Sequence, residues 1–266
     1  MAKIFNLDYL NSFYQEELVN IFITGGTTGI GLSLAKLYLE EGHRVGICGR
    51  NLSKFPIEIR NKYKQLYCYE VDVTKREELF LAVRDFAGED LDIIIANAGR
   101  SVGAKTRTPK FGVSNEVIDI NVKGVLNAFD VALECMIPKQ KGHLVATASV
   151  AGFVGLPGAA AYSASKAAVL KLCESYAIDL KRQGISVSAI APGFVDTPLT
   201  QKNNHKMPFL MGADKAAKLI KRAIEKKKVL FIFPIQMKIL ITILDKMPRS
   251  WYRALMGLKF FNYSEE

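Results

Sequence analysis

The chain has 266 residues, 49% hydrophobic and 23% charged, with a formal net charge of +10. This composition excludes a disordered, collagen-like or disulfide-framework chain and leaves enough apolar material for a sizeable core. From residue 201 onward 14 Lys/Arg stand against 5 Asp/Glu, whereas the first 200 residues carry 22 against 21, so the basic surplus belongs to the tail and suits an anionic surface or a merely solvated face.

In chain order, residues 1–17 carry Asp8, Glu16 and Glu17 with no apolar signal-peptide core, and read as a short N-terminal extension. "LVNIFITGG" is a buried-strand run ending in glycines, and "IGLSLAKLYLEEG" has helical spacing up to Gly42. "RVGICGR" and "LYCYEVDVT" are strand-like, "KREELFLAVRDFAG" is helical and "LDIIIANAG" is again a strand. The spacing predicts one long helix over "SNEVIDINVKGVLNAFDVALECMIP", stopping at Pro138. The strand "GHLVATASVAG", the helical "AAYSASKAAVLKLCESYAIDLKRQG" and the strand "ISVSAIAPG" follow. Regular alternation without a long linker or a repeat predicts a doubly wound α/β fold with a parallel sheet, as a single domain. Ligands of such sheets sit beyond the carboxyl ends of the strands, where runs end in Gly25, Arg50, Asn97 and Ser149. Cys48, Cys68, Cys135 and Cys173 form no CxxC pair, and His43, His143 and His205 do not cluster with them, so they read as reduced core thiols of a cytosolic protein rather than metal ligands.

"TGGTTGIG", Thr24 to Gly31, joins the first strand to the first helix. Gly25, Gly29 and Gly31 allow a tight turn and close approach to a ligand, and the helix N-terminus offers N–H groups to an anion such as a diphosphate. The second strand ends in Arg50, where a chain that prefers NAD would carry a carboxylate for the ribose 2′-hydroxyl. A guanidinium suits a 2′-phosphate, so NADP(H) is favoured over NAD(H), with an exposed structural arginine as the alternative.

Tyr162 and Lys166 of "YSASK" lie one helical turn apart on one face. An adjacent ammonium favours the phenolate and brings the tyrosine toward the working range of an acid/base. Ser149, at the end of the preceding strand, could hydrogen-bond a carbonyl oxygen while the tyrosine protonates it, and the Asn121 side chain could hold a water.

With "VDVT", "ANAG", "NVKG" and "PGFVDT", these segments make residues 18–200 resemble the short-chain dehydrogenase/reductase family. The resemblance implies a Rossmann fold and a catalytic tetrad of Asn121, Ser149, Tyr162 and Lys166. Tyr162 would be the acid/base, Lys166 would lower its pKa and bind the nicotinamide ribose, Ser149 would orient the carbonyl, and Asn121 would hold a relay water. Thr27, Thr28 and Ile30 would complete the diphosphate turn with the three glycines, and Asp72 and Val73 would lie at the adenine. Asn97, Ala98 and Gly99 would line the cofactor, and Pro192, Gly193, Val195 and Thr197 would meet the nicotinamide side. Two residues depart from the family pattern: Ala96 replaces a frequent Asn, and Thr28 stands where many NADP-preferring members carry a base. A homodimer or homotetramer through the helices bearing Asn121 and Tyr162 is also implied, with Ala164, Ala167 and Ala168 small enough for close packing there.

Residues 201–233 would supply a substrate loop, a helix over Asp214–Lys228 with seven Lys/Arg against two acids, and a fully buried last strand "VLFIF". Met207, Phe209, Leu210 and Met211 are either the apolar lining for a hydrophobic substrate or packing residues of a lid. Residues 234–266 form an amphipathic helical C-terminal extension, "IQMKILITILDKM" and then "RSWYRALMGLKFF" with Trp251, Leu255 and Leu258 along one side. The first segment is about 20 Å long as a helix, short of the roughly 30 Å hydrocarbon core, and is no span. These helices either pack on the protein or across a dimer interface, or lie on an anionic membrane surface, which would make a cytoplasmic protein peripherally membrane-associated. Nucleic-acid binding is not expected, because the lysines are not interleaved with a stacking platform.

The reading that follows is an NADPH-dependent reductase of a hydrophobic, lipid-like ketone or aldehyde. An NAD-dependent alcohol dehydrogenase and a membrane-associated nucleotide-binding regulator without turnover are the alternatives.

Overall fold

The structure, a computed structural model, describes residues 18–53, 55–101, 108–202 and 206–258. Its centre is a seven-stranded, all-parallel sheet of β1 (Asn20–Thr24), β2 (Arg44–Gly49), β3 (Leu66–Glu70), β4 (Ile93–Ala96), β5 (Gly142–Thr147), β6 (Ile185–Pro192) and an edge strand (Leu230–Phe233), in the order β3-β2-β1-β4-β5-β6 and then that edge. The central strands are apolar on both faces because helices cover both: Ile21, Phe22 and Ile23 are fully buried. On one face α1 (Gly29–Glu40) packs beside a later helix (Ala213–Glu225), through Leu34, Tyr38, Ile220 and Ile224. The other face carries α3 (Arg76–Ala87), the pair α4 (Phe111–Ile118) and α5 (Gly124–Lys139), and α6 (Ala160–Asp179), with Leu79, Phe86, Phe129, Met136 and Val169 filling the core. The sheet reverses its winding between β1 and β4, which puts the ends of both strands at one crevice.

Several sequence expectations change. The short α2 (Ile57–Lys62) has no buried residue and hence no apolar period to read. The expected single helix through Pro138 is two helices joined by a π-helical turn, Asp119–Lys123, that carries Asn121. It also begins earlier, at Phe111, and runs past Pro138 to Lys139. The exit is made instead by Gln140 in a left-handed conformation, φ 48°, whose N–H bonds Ile137 O at 3.1 Å. A two-residue ladder, β7 (Val195–Asp196) against β8 (Met211–Gly212), closes the segment before α7 (Ala213–Glu225).

The last strand, β9 (Leu230–Phe233), pairs with β6, but among the described residues it is an edge with no outer neighbour and it is not fully buried. Val229 is 49% and Leu230 46% exposed, and only Phe233 is buried. α7 ends at Glu225, before Lys226–Lys228, and those lysines precede β9 at the end of the sheet away from the crevice. After β9 come α8 (Ile235–Lys246) and α9 (Arg249–Met256). Met237, Ile241, Tyr252 and Met256 of these helices pack on Val150 and Val154. The expected Trp251/Leu255/Leu258 side is the outer one, since Trp251 is 70% and Leu258 55% exposed. Residues 259–261, the N-terminal extension 1–17 and His205 lie outside the described residues. Among the described residues no helix is long and apolar enough to cross a membrane.

Candidate active site

The glycine turn after β1 is built for backbone proximity. Gly25 and Gly29 have φ of +63° and +55°, which side chains rarely adopt. A Cβ on Gly25 would stand 2.7 Å from Ala98 Cα, and one on Gly31 2.3 Å from Gly25 O and 2.6 Å from Asn97 Nδ2. The turn is tied to the end of β4 by Asn97, whose Nδ2 donates to Gly25 O at 3.1 Å and Thr24 O at 3.3 Å. The buried Thr24 hydroxyl accepts the N–H groups of Asn97 and Ala98 at 3.0 and 3.1 Å. Thr28 precedes α1 with no side-chain cap, so the first-turn N–H groups of that helix stay directed at the crevice. The backbone shape, not side-chain charge, is what fits a diphosphate here.

Arg50 is exposed at the end of β2 and close enough to Asp72 to act on its carboxyl. Burial works against the Asp72 charge, but hydrogen bonds from Thr74 and the Arg50 and Lys75 cations hold it below the usual carboxylate range. Gly49 faces Thr27, where an added Cβ would stand 2.9 Å from the threonine, so Arg50 flanks the glycine turn directly. The Val73 side chain is core, packed against Gly124, and its carbonyl accepts from Asn127 Nδ2 at 2.8 Å.

Ser149, Tyr162 and Lys166 meet across the ends of β5 and α6 and line one cleft with Gly25, Thr27, Thr28, Gly29 and Ile30. Asn97, Ala98, Gly99, Pro192, Gly193, Val195 and Thr197 line the same cleft. The Lys166 ammonium is buried, donates to Thr147 O at 2.7 Å and lies 5.8 Å from the Tyr162 ring centre. Burial pulls its pKa down to about 8. Burial pushes the Tyr162 phenol up, and the hydrogen bond with Ser149 works the other way. Ser149 Oγ accepts the Ala151 N–H at 3.1 Å, which leaves its own O–H to donate.

Asn121 is fully buried, and its side chain acts as a clasp. Its Oδ1 accepts Arg100 N–H at 2.8 Å, and its Nδ2 donates to Arg100 O at 3.0 Å and to Ser165 Oγ at 2.9 Å. Ser165 in turn donates to Tyr162 O at 2.8 Å. The π turn thus fastens the loop after β4 to the helix that carries the tyrosine, a use of π bulges seen at functional sites.

Three residues that matter were missed in the sequence. Thr147 Oγ1 donates to Asn97 Oδ1 at 3.2 Å while its carbonyl takes the Lys166 ammonium, so one residue links Lys166 to the glycine turn. Thr24 and Ser165 are the others, and only their small polar type at the end of an apolar strand or on a buried helix face could have marked them. Thr197, nine-tenths buried, is fixed by Thr200 at 3.0 Å, and its methyl would stand 3.0 Å from a Cβ on Gly29. Phe209 and Leu210 are about half exposed, and Met211 packs against the α1/α7 core, so that segment divides between surface and packing.

A profile of the family described as short chain dehydrogenase matches residues 19–208. An uncharacterized oxidoreductase of Myxococcus xanthus (strain DK1622) is 35% identical over 239 residues, covering 87% of this chain and 94% of that protein. One of Staphylococcus aureus (strain MRSA252) is 36% identical over 188 residues, 68% of this chain and 80% of the relative. Among solved structures, a short chain dehydrogenase from Burkholderia cenocepacia J2315 in complex with NADP superposes with a TM-score of 0.77 at 22% identity, covering 91% and 98% of the two chains. ElxO with NADP bound gives 0.73 at 25% identity, with 81% and 97% covered. On the profile match, the near full-length relative and the site assembled above, the chain belongs to the short-chain dehydrogenase family of NAD(P)-dependent oxidoreductases.

Proposed function

We propose that the protein is an NADPH-dependent carbonyl reductase whose substrate is a hydrophobic, lipid-like ketone or aldehyde. The observation that carries this reading is the single cleft lined by both the glycine turn and the Ser149–Tyr162–Lys166 group. Bound along that turn, NADPH supplies the hydride that a carbonyl carbon accepts. Tyr162 then delivers its phenolic proton to the carbonyl oxygen, Ser149 holds that oxygen by a hydrogen bond, and Lys166 stands behind the phenol to resupply charge and proton. A phenol kept protonated by burial suits the reducing direction, in which it must donate.

Two observations favour NADP(H) over NAD(H). Arg50 flanks the turn without a carboxylate of its own strand end to meet a 2′-hydroxyl, and ElxO carries NADP. A hydrophobic substrate is supported by Phe209 and Leu210, about half exposed on the segment that follows Thr197–Thr200. The outer faces of α4, α5 and α6 leave Phe111, Ile118, Ile137 and Ile178 exposed, in keeping with a homodimer or homotetramer there. Light scattering on the purified chain tests the assembly.

NADPH consumption across a panel of short, aromatic and long-chain ketones and aldehydes, with NADH in parallel, tests the function. Turnover that rises with chain length and prefers NADPH is expected. Turnover with NADH alone would point to the NAD-dependent alcohol dehydrogenase, and none with any carbonyl to a nucleotide-bound regulator.

A further inference from the structure

The two C-terminal helices each have two apolar faces, and only one is used by the fold. Inward, Met237, Ile241, Tyr252 and Met256 pack on Val150 and Val154. Outward, Ile235, Ile239 and Ile243 stand four residues apart on α8, exposed by 60%, 57% and 57%, and Trp251 on α9 is 70% exposed. Spacing by four makes the isoleucines a ridge along one side of the helix, opposite Met237 and Ile241. Such clustered β-branched residues on α8, with an exposed indole on the adjoining α9, exceed the scattered apolar exposure of an ordinary surface.

We propose that this outer face docks on an anionic lipid surface. The charges around it identify the occupant. Residues 235–258 carry Lys238, Lys246, Arg249 and Arg253 against Asp245 alone, and all four cations are exposed. The Asp245–Arg249 pair, at 3.5 Å and largely solvated, takes little of that surplus. A second copy of the same face would bring like cations together, whereas anionic headgroups meet them with opposite charge while the isoleucine ridge and indole enter the boundary between headgroups and acyl chains. The Lys226–Lys228 run takes no part, because it lies at the far end of β9.

The face is also joined to the site. Tyr252 Oη donates to Gly155 O at 2.6 Å, on the loop between Ser149 and Tyr162. A chain docked through α8 and α9 therefore holds that loop beside the membrane. The inference rests on the tail's own geometry; the reductase reading enters only in what the docked site would take up.

Trp251 is the chain's single tryptophan, so its fluorescence reports this face alone. The full chain is titrated with vesicles of phosphatidylcholine and with vesicles of phosphatidylcholine plus phosphatidylglycerol. The expected result is a blue shift and co-sedimentation with the anionic vesicles, weakened by salt. In an Ile239→Ser/Trp251→Ser variant with unchanged NADPH affinity, vesicle affinity falls by about tenfold or more. No shift and no co-sedimentation of the unmodified chain would overturn the proposal, whatever the variant does. So would a dimer that the variant converts to a monomer, since a second copy would then cover the face.

Discussion

Replacing Gly31 with alanine adds one methyl group at the tightest point of the nucleotide turn. The new Cβ would stand 2.3 Å from Gly25 O and 2.6 Å from Asn97 Nδ2, both closer than the 3.0 Å that real Cβ contacts respect. Reaching ordinary contact needs a displacement of about 1 Å, shared between the Gly25 peptide and the start of α1. Neither side yields easily: Gly25 lies so close to Ala98 that a Cβ on it would stand 2.7 Å from Ala98 Cα, and Asn97 is held by Thr24 and Thr147. Overpacking of this kind costs about 1–3 kcal/mol of stability. A cost of that size borne by the turn that holds the nucleotide corresponds to roughly a tenfold or greater loss of NADPH affinity. Titration of NADPH against the Gly31→Ala protein, with a thermal melt beside it, checks both parts. NADPH affinity within about twofold of wild type would refute the placement of the diphosphate on this turn.

Arg50→Ala is expected to weaken NADPH by at least tenfold and NADH hardly at all, because only NADPH presents a 2′-phosphate to the guanidinium; equal weakening in parallel titrations would remove that role. Tyr252→Phe leaves the Gly155 carbonyl without its donor and costs about 1–2 kcal/mol, read as a lowered denaturation midpoint, with turnover reduced because the loop between Ser149 and Tyr162 loosens. An unchanged midpoint would make that bond unimportant. His143, buried against Ser188 at 2.8 Å, has its pKa lowered to about 4 by burial and by the Lys227 charge. The unfolded chain binds this proton at about pH 6.5 and the folded chain does not until about pH 4, so stability is lost as pH falls through that window, by about 3 kcal/mol in all. Urea melts of wild type and His143→Asn at several pH values check it, and parallel pH profiles would contradict it.

Much of the sheet was legible because its strands are continuous apolar runs, a pattern that burial on both faces enforces. The meeting of Ser149, Tyr162 and Lys166 in one cleft was legible for a different reason: Tyr162 and Lys166 are linked by helical spacing, and Ser149 by its place at a strand end. The Thr24–Asn97–Thr147 network was not, because it depends on β1, β4 and β5 lying side by side in register, which no local spacing encodes. The π turn escaped notice because one added residue in a long helical pattern barely disturbs the period, and that turn is what aims Asn121 at Arg100 and Ser165. In the tail, the wide apolar arc of "IQMKILITILDKM" was clear, but periodicity does not say which side a neighbour covers. Met237 and Ile241 turned out to be the inner stripe, and the isoleucines the outer one.

The central claim is that Tyr162 donates the proton in a carbonyl reduction. Its most direct test is NADPH oxidation by Tyr162→Phe on a carbonyl that the wild type reduces, with NADPH affinity measured on the same sample. The account predicts that turnover falls by a thousandfold or more, on the order of the loss expected for a general acid, while NADPH binds within a few-fold of wild type. Retention of most of the turnover by the phenylalanine variant would contradict it.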